Sequence, residues 1–91
     1  MKTNALIYAK ANAQEAILAQ IKEASDYAAE NGLTICAVAE TTAELGSCVL
    51  EGDIDTVIFK DRACITRDAK ERVVILAALR ELGVAVLFVD K

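Results

Sequence analysis

Ala5-Leu6-Ile7-Tyr8-Ala9, then Asn12 through Asn31-Gly32, then Leu33 to Ala39: the reading of this run decides the architecture of the chain. The first five residues are continuously apolar without helical period, the mark of a strand buried on both faces. Asn12 is a good N-cap, and Glu15 can reach back from three residues on to complete a capping-box-like start. Ala13, Ile17, Ile21, Ala24 and Ala28 then recur at helical spacing, with Gln20 the one polar interruption of the stripe. Asn31-Gly32 ends the helix, Gly32 being suited to the left-handed position after it. Leu33 to Ala39 is a second apolar strand. A strand, a helix and a strand in succession predict two parallel strands joined by a right-handed crossover.

The same alternation continues outward. Residues 40–53 are ambiguous, with a short helix possible over Thr42 to Leu50 and ended by Gly52. Asp55 to Phe59 holds Val57-Ile58-Phe59, a third buried strand. Thr66 or Asp68 opens a second long helix, Gly83 closes it, and Val84 to Val89 forms a fourth strand. Gly32, Gly46, Gly52 and Gly83 are all read as lying at or near breaks, and there is no proline. The expected fold is therefore α/β: one domain over residues 1–91, in three layers, with a four-stranded parallel sheet in order 2-1-3-4 and helices on both faces. Such a sheet opens a crevice at the carboxyl ends of strands 1 and 3, where Lys10, Ala11, Asn12, Lys60, Asp61 and Arg62 are placed. The first of these loops contains no glycine, so it is neither a dinucleotide fingerprint nor a P-loop. No cofactor is expected.

Composition narrows the function classes. Hydrophobic residues make up 55% of the 91 residues, which excludes a disordered tail. The longest uninterrupted apolar run, Val73 to Leu79, is far short of the roughly 18–20 residues that span a bilayer. Lys2 is followed almost at once by the first strand, so no leader is expected, and the chain is read as soluble and cytoplasmic. The net charge of −4 argues against a protein whose main work is holding DNA phosphates. Charge is also uneven: Glu40, Glu44, Glu51, Asp53 and Asp55 are unaccompanied by any base, whereas Lys60, Arg62, Arg67, Lys70 and Arg72 cluster further on. Three cysteines without metal-type spacing (Cys36, Cys48 and Cys64) suit reduced thiols. The absence of histidine excludes imidazole-based zinc sites, Ser-His triads and Cys-His nucleophiles. No metal is expected.

Tyr8-Ala9-Lys10-Ala11-Asn12 followed by Ile17-Leu18-Ala19-Gln20-Ile21 resembles the opening of the serine recombinases, the resolvase and invertase family. That family begins with a strand reading Tyr-any-Arg-any-Ser and a helix carrying a Leu-any-any-Gln pattern. Tyr27 to Gly32 is similar to the end of the same helix. Lys60-Asp61-Arg62-Ala63-Cys64-Ile65-Thr66-Arg67-Asp68 looks like the family's second motif, and Glu81-Leu82-Gly83-Val84 also resembles the entry to its final strand. The similarity runs over residues 5–91 with one gap, and implies a resolvase-like fold.

The departures concern the chemistry that the resemblance implies. The family's serine attacks a DNA phosphodiester; the matching position is Asn12, whose carboxamide forms no phosphoserine link. Losing the nucleophile of a serine enzyme can lower the rate on the order of 10⁶-fold. The matching arginine positions hold Lys10, which keeps the charge but loses the planar fork, and Cys64; Arg67 alone is retained. The family's mobile arginine-bearing loop corresponds to the segment Glu40 to Asp55, which has no base. The chain also stops where the family continues into a dimer-forming helix and a DNA-binding domain. The expectation is a recombinase-like domain that has lost strand cleavage, serving as an interaction, regulatory or remnant module. The alternative is the catalytic-domain fragment of a working recombinase, for which Ser25 and Ser47 are the only serines. A small-anion binder using Lys10, Lys60 and Arg67 is a third.

Each residue also has a plainer role. An N-cap explains Asn12 better than a reactive group does. Lys10 and Lys60 read more readily as solvated loop lysines than as an anion clamp. Arg67 beside Thr66 is electrostatically poor in a first helical turn, which gives slight support to an anion contact. Cys64 lies between Arg62 and Arg67, where a thiol pKa can fall, but an inert cysteine is the simpler reading. Asp53 and Asp55 precede strand 3, on the wrong side of it for a metal at the crevice. Val73 to Leu79 is apolar around the whole helix, which predicts self-association or a protein partner through helix 73–82. DNA binding is expected to be weak or absent.

Overall fold

The computed structural model describes residues 4–9, 14–51, 54–60 and 68–89. In chain order the elements are β1 (Asn4–Tyr8), α1 (Gln14–Glu30), β2 (Thr34–Ala39), α2 (Thr42–Leu50), β3 (Thr56–Phe59), α3 (Ala69–Glu81) and β4 (Ala85–Phe88). All strands are parallel and the sheet order is β2-β1-β3-β4, as the alternation of elements predicts. The side on which successive strands are added reverses after β2, so right-handed crossovers place α1 on one face and α2 and α3 on the other.

The two central strands have no solvent side. Leu6, Tyr8, Val57 and Phe59 point into the layer of α2 and α3, where Leu45, Val49 and Leu79 meet them. Ala5, Ile7, Ala9 and Ile58 point the other way, onto Ala24 and Ala28 of α1. From Ile17 onward the predicted stripe of α1 is thus its contact face, with Ile17 and Ile21 half-buried at the margin, while Ala13 lies outside the described residues. Alanine at the two buried positions lets the helix backbone approach the sheet closely.

Helices α1 and α3 end by the same device. The Leu33 N–H donates to the Ala28 carbonyl at 2.9 Å and the Val84 N–H to the Leu79 carbonyl at 3.0 Å, each spanning a glycine. Gly32 and Gly83 have φ of 69° and 77°, a left-handed conformation that other residues adopt only with strain. Of the two possible starts for α3, Asp68 is the cap: its carboxylate accepts from the Lys70 N–H at 2.9 Å.

The ambiguous segment resolves into α2. Thr41 caps it, accepting from the Glu44 N–H at 3.1 Å, while its hydroxyl lies 3.3 Å from the Glu44 carboxylate. Thr41→Ala is expected to lower stability by about 1 kcal/mol, measurable as a shifted urea midpoint with an unchanged slope. Gly46 corrects one expectation: it sits inside α2 rather than at a break, and a Cβ there would meet nothing within 4 Å. Leu45 and Val49 hold that helix to the sheet across the glycine.

Strand β2 lies at the edge and is less uniformly buried than its composition suggests. Its pairing with β1 shifts register, Ala5 facing Ile35 but Leu6 facing Ala37. The extra residue is Cys36, and it turns the later positions over. Ile35 packs on the α1 side, whereas Ala37 and Ala39 pack under α2.

Candidate functional site

The crevice expected from the strand order is placed where the chain reverses across the sheet, beyond the carboxyl ends of β1 and β3. The strand ends beneath it are well packed on the side of α2 and α3. Tyr8 faces Phe59 and Phe59 faces Phe88 in the strand register, each the last residue of its strand. Their rings form a row with centroids 5.4 and 5.8 Å apart, which adds aromatic contact to the area they bury. The ladder continues one residue further, the Ala9 N–H donating to the Ala39 carbonyl and the Val89 N–H to the Phe59 carbonyl, both at 2.9 Å. Strand-by-strand reading did not anticipate this row; the signal was an aromatic at the end of each of three strands.

Of the residues proposed for the rim, Lys10, Ala11, Asn12, Asp61 and Arg62 lie outside the described residues, as do Cys64, Arg67 and the capping role of Asn12. Lys60 is described and half-buried. It follows Phe59 and lines a shallow groove beside α1 together with Glu23, Asp26, Tyr27, Glu30 and Val89. Its ammonium group therefore shares its surroundings with carboxylates, which are natural neighbours for a lysine and compete with any external anion.

Asp55 belongs to the other end of the sheet. Its carboxylate accepts from the Asn4 N–H at 3.2 Å, its own N–H donates to the Asn4 carbonyl and its carbonyl accepts from the Ala85 N–H, both at 2.9 Å. One aspartate thus ties β1, β3 and β4 together at their amino ends, which is a structural role. Asp53 lies outside the described residues. Cys36 is exposed on β2 with its Sγ 3.8 Å from the Thr34 carbonyl, and Cys48 packs at the margin of the α2 side of the core. Among the described residues, no cluster of carboxylates and thiols can hold a metal, and no helix is long and apolar enough to cross a membrane.

The serines occupy helices. Ser25 is half-buried within α1, and Ser47 is exposed on α2 rather than in a loop. Compared with models of known protein families the chain matches none, and no curated protein matches it.

Proposed function

We propose that the chain is a recombinase-like interaction or regulatory domain without strand-cleavage chemistry. The observation that carries this reading is the distribution of the serines relative to the sheet. Chemistry in an open α/β sheet gathers at the carboxyl ends of the strands flanking the reversal, here β1 and β3. Neither serine of the chain lies in the segment directly after either strand, since Ser25 is twelve residues into α1 and Ser47 lies in α2. Asn12 stands in the sequence where the resemblance requires the attacking hydroxyl. Lys10 and Cys64 stand where it requires guanidinium groups to stabilise charge developing on a phosphate.

Incubating the chain with duplex DNA and separating the products under denaturing conditions tests this directly. No covalent protein–DNA species is expected. Asn12→Ser is expected to yield little or none either, because the arginine positions remain unfilled. A covalent adduct from the unaltered chain would restore the catalytic-fragment alternative. Duplex binding is expected to be weak and to fade as salt rises, in keeping with the net charge of −4.

A further inference from the structure

The outer face of α3 carries a charge order that is wrong for an isolated helix and right for two helices packed head to tail. Lys70, Val74, Ala77 and Glu81 follow one another at spacings of four, three and four, which places them on a single stripe. Leu79, the buried residue of this helix, is about 180° around from Lys70 by helical geometry, so the stripe lies on the outer side of α3, where Ala77 and Glu81 also border the groove between α3 and β4. All four of its residues are exposed, Val74 to 66%. Lys70 lies in the first turn, at the positive end of the helix dipole, and Glu81 is the last residue, at the negative end. On this stripe each charge is therefore at the end that disfavours it, whereas Glu71 and Arg80, off the stripe, are at the ends that suit them.

From this arrangement we propose that a second copy of this chain docks on the stripe, with the two α3 helices antiparallel about a two-fold axis between Ile75 and Leu76. About that axis Lys70 of one copy stands opposite Glu81 of the other, twice by symmetry, and Val74 stands opposite Ala77, a larger residue against a smaller one. Each lysine then lies beside the negative end of the neighbouring helix and each glutamate beside a positive end, so the misplaced charges become complementary. A two-fold interface must be self-complementary in this way.

Charge over the rest of the surface favours this face. Helix α1 carries Glu15, Glu23, Asp26 and Glu30 against Lys22, and α2 carries Glu44 alone, whereas α3 has Lys70, Arg72 and Arg80 against Glu71 and Glu81. Two copies of an acidic chain repel least across α3. Part of the exposed apolar area lies on and beside this helix. Val73 and Val74 are 66% exposed, and Leu50 and Leu82 (74% and 54%) stand on either side of an apolar groove between α2 and α3. A single helix pair buries less than the roughly 800 Å² per partner of a standard interface, so the association should depend on concentration.

This inference rests on the interaction-domain reading and names its partner. Sedimentation of the full chain over a micromolar concentration series is the test, with Lys70→Glu, Glu81→Lys and the double exchange. Each single exchange places like charges opposite one another twice, and should weaken self-association on the order of ten-fold. The double exchange should restore it. Both changes suit the helix dipole better than the native residues do, so weakened association cannot be ascribed to a weakened helix, and circular dichroism checks the fold. A monomer at every concentration overturns the inference, as does association that all three variants leave unchanged. Neither result touches the loss of strand cleavage, which the DNA-adduct experiment decides separately.

Discussion

Replacing Phe59 with alanine is expected to destabilise the domain by about 3–5 kcal/mol, the range for truncating a fully buried aromatic. Phe59 has no exposed surface and ends the third strand of the sheet, between Tyr8 and Phe88. Its removal opens a void against two rings at once, and both belong to neighbouring strands that cannot shift without disturbing the ladder. A domain of this length has a total stability of roughly 5–14 kcal/mol, so the variant would retain a small margin or unfold. Equilibrium unfolding in urea, followed by far-ultraviolet circular dichroism, measures the loss. A change below about 1 kcal/mol would mean that the row is not close-packed. Phe59→Leu, which keeps most of the volume, should recover a large part of the loss.

Ala28→Asp should be comparably severe for a different reason. Ala28 is 1% exposed and touches the sheet face formed by Ala5, Ile7, Ala9 and Ile58, which offers no polar side chain. A carboxylate there must stay charged in an apolar layer, take up a proton, or push α1 off the sheet, and each course costs several kcal/mol. Leu18→Asp, on the same helix but 57% exposed, should change stability by no more than about 0.5 kcal/mol. Comparing the melting temperatures of the two variants separates burial from any general intolerance of α1 to acid. If Ala28→Asp melted like the parent, the placement of α1 over β1 and β3 would be wrong.

Much of the architecture is written locally. The unbroken apolar runs at Ala5–Ala9 and Val57–Phe59 have the composition of strands covered on both sides, and they are the two central strands. The helical stripe through Ala24 and Ala28, the glycine stops at Gly32 and Gly83 and the cap at Asp68 are short-range patterns whose physics involves a few neighbouring residues. The start of α3 was open between Thr66 and Asp68 because both residue types cap helices well; the Asp68 carboxylate bonded to the Lys70 N–H distinguishes them. The candidate site was legible as a location, the carboxyl ends of β1 and β3, because strand order follows from connection rules. Its surroundings were not. That Lys60 would share a groove with Glu23, Asp26 and Glu30 depends on where α1 lies across the sheet, a distance no local pattern encodes.

By itself, then, the sequence determined which segments become strands and helices apart from α2, their order in a parallel sheet, and the absence of histidine and of any serine in the segments directly after β1 or β3. These depend on periodicity, capping and residue identity, which act over one or two turns. Tertiary structure decided what depends on pairing between distant segments. Cys36 became the extra residue of a bulge only because β2 had to match β1 in register, and that single residue moved Ala37 and Ala39 to the face opposite Ile35. Asp55 became a tie across three strands, rather than one more carboxylate in an acidic stretch, when Asn4 and Ala85 were brought to it. The charge order of α3 was present in the sequence, but only burial of Leu79 on the sheet turned Lys70, Val74, Ala77 and Glu81 outward together. A side chain's face is set by what its backbone pairs and packs with, and that choice is made by the whole sheet.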